Sequence, residues 1–262
     1  MCRWVAYRGK PIFLSQVVTE PCRSLIQQSL HAREAHTNTH GDGFGMGWYG
    51  EWAEPGLYRE LLPAWGDENL RHLARQIRSP LFFAHVRAAT GTAIARANCH
   101  PFAHGPMLFM HNGQIGNYAA VRRAVEALIP DDLYAERGGT TDSEALFLAM
   151  LARGAAEDPV GATSSVLADV VAILAREGAT EPLRFTAALT NGRDLFCFRF
   201  ASDHAPPSLY FRETADGLLV VSEPLDDDVA GWREVPAGHV LEASGDGTPH
   251  LRPFSAGLAL AA

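Results

Sequence analysis

Cysteine is scarce in this chain. Cys2, Cys22, Cys99 and Cys197 are scattered over 262 residues and form no CxxC pair. That spacing argues against a disulfide framework and leaves free thiols in a reducing compartment as the expectation, so a cytoplasmic location is read. Runs of Lys or Arg are missing too, and the formal net charge is −8. Nucleic acid and anionic membrane surfaces are therefore not the expected partners. No stretch resembles the roughly eighteen apolar residues of a membrane span. The start, Met1-Cys2-Arg3-Trp4-Val5-Ala6-Tyr7, lacks the sustained apolar core and small-residue site of a secretion signal. Internal repeats and long linkers are absent as well. Residues 2–245 are read as a single domain, with 246–262 as a Gly-, Pro- and Ala-rich tail that is loosely held.

What is present is apolar patterning. Hydrophobic residues make up 47% of the chain, enough for a sizeable core. Residues 1–14 read as a strand and Ser24–Ala35 as a helix. In the loop His40–Gly50, Phe44, Met46 and Trp48 alternate with glycines and read as a second strand. Leu70, Leu73, Ala74 and Ile77 lie on one face of a helix over Asn69–Arg78, closed by Ser79-Pro80. Leu81–Val86 and Met107–Met110 read as strands. Asn117 is expected to cap one helix, Thr141 to open a second, and a third covers Val160–Arg176. After Pro182 the pattern returns to strands: Phe185–Thr190 and Asp194–Phe200 about a two-residue Asn191-Gly192 turn, then Leu209–Arg212, Leu218–Ser222 and His239–Ala243. Strands, then helices, then strands predict an α+β fold and not a βαβ alternation.

Several residues can carry chemistry. A small residue behind the initiator permits removal of Met1, which would put a thiol and a free α-amine on Cys2. Their reference pKa values, about 8.5 and about 7.7–8.0, are matched closely enough for the amine to act as base. Arg87, at the end of an apolar strand, can fork onto a carboxylate, and by itself also reads as a surface arginine. Asn112-Gly113 is first a turn signal, and equally a pair of donors for an oxyanion. Asp142 follows Thr141, which has capping-box spacing to Glu144. It reads as helix-dipole pairing or as a carboxylate aimed at an ammonium. The histidine groups His31, His36, His40 and His100, His104, His111 match no zinc spacing, so no metal is expected. Gly41-Asp42-Gly43-Phe44-Gly45 has neither phosphate-loop nor dinucleotide spacing, and no cofactor is read.

The order of these pieces is specific: Cys2, His85-x-Arg87-x-x-Thr90, His111-Asn112-Gly113, then Thr141-Asp142-Ser143-Glu144. It resembles the class II glutamine amidotransferases, and among them the small stand-alone members that begin Met-Cys-Arg and continue with Gly-Asp-Gly-Phe-Gly-x-Gly-Trp. Asn98-Cys99-His100-Pro101-Phe102, Ser222-Glu223-Pro224-Leu225 and Val235-Pro236-Ala237-Gly238 extend the resemblance over roughly residues 2–240. One departure is Gly91, where many fused members carry His. The resemblance implies an N-terminal-nucleophile (Ntn) hydrolase fold, a four-layer αββα sandwich of two antiparallel sheets. It implies Cys2 as nucleophile and Asn112 and Gly113 as oxyanion hole. Arg87, helped by Thr90, would hold a substrate carboxylate, and Asp142 a substrate ammonium. The expected substrate is a small molecule, glutamine or a related γ-glutamyl amide. A glutaminase subunit serving a separate synthase partner and a non-catalytic binding protein on the same fold are the alternatives. Self-association stays open.

Overall fold

Side chains along β1 (Arg3–Phe13) show how the layers arise. Successive strand residues point to opposite faces. Trp4 and Ala6 enter one buried cluster, and Val5 and Tyr7 enter another. The computed structural model describes residues 2–34, 39–89, 93–245 and 248–257. After β1 come α1 (Ser15–Val18), α2 (Leu25–Leu30), β2 (Phe44–Trp48), β3 (Gly56–Glu60), α3 (Glu68–Gln76), β4 (Arg78–Val86), β5 (Phe102–His104) and β6 (Met107–Gln114). Four helices follow: α4 (Tyr118–Glu126), α5 (Asp131–Tyr134), α6 (Asp142–Ala152) and α7 (Pro159–Arg176). The chain closes with β7 (Arg184–Thr190), β8 (Leu195–Ala201), β9 (Tyr210–Glu213), β10 (Gly217–Val221), β11 (Arg233–Glu234), β12 (His239–Ala243) and β13 (Pro249–Pro253).

The strands form two antiparallel sheets, ordered β11-β9-β10-β1-β4-β2-β3 and β13-β12-β8-β7-β6-β5. In the first, Tyr7, Phe44, Met46, Phe82 and Ala84 face Val17, Leu25, Ile26 and Leu70 of α1–α3. In the second, Phe109, Phe185 and Phe198 face Val125, Phe147, Val166 and Val170 of α4, α6 and α7. Trp4, Ala6, Phe83 and Val220 meet Leu108, Met110, Ala188 and Leu241 between the sheets. Each such large apolar side chain, fully buried, contributes about 1.5–3 kcal/mol. The outcome is the expected α+β sandwich of two antiparallel sheets between helical layers. α7 has the length and mean hydropathy, 1.3, of a membrane span. It is half buried and supplies Val166, Leu167 and Val170 to the core.

Local chemistry sets the element ends. Asp67 accepts from Leu70 N at 2.6 Å to cap α3, and Asp158 accepts from Gly161 N at 2.9 Å before Pro159 of α7. Pro80 falls inside β4 and not in a helix terminator. The β1–β4 register shifts between Arg8 and Ile12, opposite Leu81 and Ser79, so Pro80 sits where the ladder is irregular. Asn117 holds the N-cap position of α4, as expected, but its side chain makes no capping bond. It is left-handed (φ 50°), and its Oδ1 accepts from Thr180 and Glu181 N–H instead. The Asn191-Gly192 turn widens to four residues, because Asn191 Oδ1 accepts from both Arg193 and Asp194 N–H. β3, β5, β11 and β13 have no counterpart in the sequence reading. The loose tail is corrected where it is described: β13 pairs with β12, and Phe254 packs into the second core. Two tail segments, 246–247 and 258–262, lie outside the described residues.

A charged knot ties α4 to the loop before α6. Glu126 pairs with Arg137, with Arg122 at 2.5 Å, and accepts from Tyr118 and Tyr134 hydroxyls. Burial opposes its charge, yet the two arginines hold its carboxyl down to about 2. A depressed folded pKa stabilises above the ordinary carboxylate range and fades as pH falls through it. Glu126→Gln is therefore expected to lose about 1–3 kcal/mol at pH 7 in urea melts. The gap to wild type should close as pH drops toward 2.

Candidate active site

Strand register sets up the site. Arg3 pairs with Val86 across β1 and β4, so the next facing positions are Cys2 and Arg87. Alternation puts Cys2, with Trp4 and Ala6, on the side facing the second sheet. Arg87 follows Phe83 and His85 onto the same side. Asn112 follows Leu108 and Met110 of β6, which face back across the same gap. β1 and β4 both touch β6 there. β5 pairs with β6 only as far as Phe109, leaving β6 with an open edge from His111 onward.

Cys2 is half-buried, and its Sγ lies 3.7 Å from the Ala88 carbonyl. Burial pushes its thiol up, with the charges of Arg87 and Arg3 working against this. The thiol is therefore protonated at neutral pH and needs a base to become a nucleophile. Arg87 is 3% exposed. Its Nη1 donates to Asp42 O and its Nη2 to Ala93 O, both at 3.3 Å. Arg87 N–H donates to Gly43 O at 2.8 Å, and Asp42 N–H to Arg87 O at 3.1 Å. Asp42 Oδ2 then accepts from Ala89 N–H at 2.8 Å. The glycine-punctuated loop is thus a clamp on the Arg87 segment. Gly43 has φ +106°, and a Cβ there would lie 2.6 Å from Cys99 Sγ, so only glycine suits the clamp.

On the second sheet, the Asn112 side chain is 1% exposed, and neither its amide nitrogen nor its oxygen has a partner among the described residues. An unsatisfied buried amide costs about 1–3 kcal/mol, and such groups concentrate where a ligand completes them. His111 turns to the opposite face. Its Nε2 meets Arg184 O at 3.1 Å and its Nδ1 meets Ser143 Oγ at 2.9 Å. A carbonyl only accepts, so Nε2 carries the proton and Nδ1 accepts from Ser143. That bond ties β6 to the first turn of α6.

Thr141 caps α6, accepting from Glu144 N–H at 3.1 Å. The capping box is half formed, because the Glu144 carboxylate takes Gly138 and Gly139 N–H, at 2.9 and 2.8 Å. Asp142 Oδ1 accepts from Ser143 N–H at 2.8 Å with Ser143 Oγ at 3.4 Å, and Oδ2 accepts from Ile115 N–H at 2.8 Å. The carboxylate borders a cleft of about 590 Å³ shared with Ala93, Gln114, Ile115, Tyr118 and Thr140. Thr90 and Gly91 lie outside the described residues.

Three residues near the site were given no role by the sequence reading. Glu223, fully buried, pairs with Arg3 at 3.7 Å and Arg23 at 2.7 Å, and accepts from Arg33 and Glu34 N–H at 3.0 Å each. It anchors the residue beside Cys2. Asp42 clamps Arg87, and Asn98 bridges two loops. The Ser-Glu-Pro, Gly-Asp-Gly and Asn-x-His-Pro segments were the only signals. His85 and His100 stack at 4.3 Å, buried, with all four ring nitrogens unpartnered among the described residues. Burial, reinforced by neighbouring positive groups, holds both well below the ordinary histidine range, so both are neutral. Among the described residues, no three His, Cys, Asp or Glu side chains converge as metal ligands.

Residues 13–205 match the family described as glutamine amidotransferases class-II, a span that contains Arg87, Asn112, Gly113 and Asp142 but not Cys2. A probable glutamine amidotransferase of Saccharomyces cerevisiae is 33% identical over 92% of this chain and 81% of the yeast protein. The gamma-glutamyl-hercynylcysteine sulfoxide hydrolase of Mycobacterium tuberculosis is 30% identical over 94% of each chain. A solved structure, the glutamine aminotransferase class-II domain protein from Silicibacter pomeroyi, superposes with a TM-score of 0.79 at 37% identity. It covers 97% of this chain and 99% of that one.

A Cβ on Gly113 would lie 1.9 Å from Arg184 O, a backbone atom that cannot step aside. Gly113→Ala is expected to destabilise the fold by about 2–4 kcal/mol, read as a lowered melting temperature by scanning calorimetry.

Proposed function

The chain belongs to the class-II glutamine amidotransferases, enzymes that hydrolyse an amide, and on that footing we propose that Cys2 opens the side-chain amide of glutamine or a related γ-glutamyl compound. The observation that carries this reading is the β1–β4 register, which sets a half-buried, protonated Cys2 thiol beside Arg87. Removal of Met1 would give Cys2 its own α-amine as the missing base. The amine takes the thiol proton while sulfur attacks the γ-carbonyl carbon. Asn112 and Gly113 N–H receive the oxyanion; loss of one such donor typically costs about 2.7–4 kcal/mol. The C–N bond breaks, and ammonia or an amine leaves with the proton from the Cys2 ammonium. Water then adds to the γ-glutamyl thioester, glutamate departs and the thiol is restored.

Arg87 holds the substrate α-carboxylate and Asp142 the α-ammonium. A site charged at both places penalises ligands lacking either group, because a buried charge is then left unpaired. Nearly end-to-end coverage with the mycobacterial hydrolase favours a stand-alone hydrolase over a glutaminase subunit that feeds a synthase.

Purified protein incubated with glutamine and γ-glutamyl amines is expected to release glutamate without a partner; silence until a synthase is added would favour the subunit reading. Intact mass should lack Met1, and a glutamine-mimic electrophile should label Cys2. A label on Cys22, Cys99 or Cys197 would reject the mechanism. Cys2→Ala is expected to abolish turnover with an unchanged melting temperature. Asp142→Asn should raise KM far more than it lowers kcat, in steady-state assays of glutamate release.

A further inference from the structure

Arg87 follows β4 and Asp142 opens α6, and one buried side chain bonds to a neighbour of each. Asn98, 1% exposed, ends the short helical turn Arg96–Asn98. Its Nδ2 donates to Ala93 O at 2.9 Å and to Thr140 Oγ1 at 3.2 Å, and its Oδ1 accepts from Thr140 N–H at 2.8 Å. The same Ala93 carbonyl accepts from Arg87 Nη2. Thr140 stands two residues before Asp142, against the cap of α6. A continuous chain therefore runs from the Arg87 guanidinium through Ala93 O, the Asn98 amide and Thr140 to the Asp142 carboxylate.

The amide orientation follows from its partners. Ala93 O can only accept, so Nδ2 faces it, and Thr140 N–H can only donate, so Oδ1 faces that. Aspartate lacks the donor, and alanine lacks both groups. The fit is close, since a Cβ on Gly139 would lie 2.4 Å from Asn98 Oδ1. Charged side chains on separate segments move with those segments. A buried spacer bonded to Ala93, which also accepts from the Arg87 guanidinium, and to Thr140, two residues before Asp142, limits that movement.

We propose that Asn98 is the positioning residue that sets the spacing of Arg87 and Asp142, and so tunes the site to ligands with a carboxylate and an ammonium on one carbon. The proposal rests on the roles assigned to those two residues above. Asn98 touches no substrate; it acts through the two groups that do. Losing its bonds leaves Cys2 and the oxyanion donors in place but loosens the grip on a two-charge head. Amides that carry only one of the two charges use one anchor and gain nothing from the spacing.

The test compares glutamine with 4-aminobutanamide, which lacks the carboxylate, and glutaramate, which lacks the ammonium, by ammonia release. Asn98→Ala is expected to raise KM for glutamine about three- to tenfold, as two or three buried hydrogen bonds are lost, with kcat within about twofold. Rates on the two single-charge amides should stay unchanged. Thr140→Val, which removes one acceptor of Asn98 and keeps the backbone N–H, should move glutamine KM the same way by less. It keeps the question open to test should Asn98→Ala fail to fold. Combined with Asp142→Asn, either variant should add little further KM, because an absent charge cannot be mispositioned. Equal losses on all three amides, full additivity with Asp142→Asn, or an unchanged glutamine KM would overturn the proposal. If Asp142→Asn and Arg87→Lys alone leave glutamine KM untouched, the assigned roles fail and not merely the spacer.

Discussion

The antiparallel pairing of β1 with β4 is the constraint on which the site depends. Its register decides that the residue preceding β1 meets the residue following β4, which are Cys2 and Arg87. The side-chain period of a strand is two, so a one-residue slip of β1 would turn Cys2 away from the gap between the sheets and toward α1–α3. The slip is opposed on both faces at once. Trp4 and Ala6 are buried against the second sheet, and Val5 and Tyr7 against the helices. β2 pins the other edge of β4, and the Asp42–Gly43 backbone continues that ladder past Arg87.

Around this frame the molecule buries an unusual set of polar groups. Arg3 and Glu223 are both inaccessible to solvent, and Asn112, His85 and His100 carry polar atoms with no partner among the described residues. A buried ion pair is weak evidence of stability, since desolvation offsets most of the Coulomb gain. Here the pair holds β1 and the segment at Arg33–Glu34 to Glu223, beside the proposed nucleophile. The histidines stay neutral, so they add no positive charge beside Arg87.

Much of this was legible in the chain itself. Alternation in Phe44-Gly45-Met46-Gly47-Trp48 and in Leu81–Val86, and helical periodicity in Leu70, Leu73 and Ala74, depend on local preferences that sequence displays directly. The capping role of Thr141 was legible for the same reason. β3, β5, β11 and β13 were not, being edge or end strands whose pairing depends on partners far along the chain. Asn117 and Asn191 show a different limit. An asparagine before a helix or beside a glycine announces a turn, but which N–H groups its oxygen takes depends on what the fold brings near.

The sequence alone determined the alternation of layers and set Cys2, Arg87, Asn112 and Asp142 in the order that carries the family resemblance. Tertiary structure alone decided that Glu223 anchors Arg3, that Asp42 clamps Arg87, and that Asn98 joins Ala93 to Thr140. The reason is physical. Propensity and period act over a few residues, whereas a buried hydrogen bond between distant segments exists only after the core has brought them together.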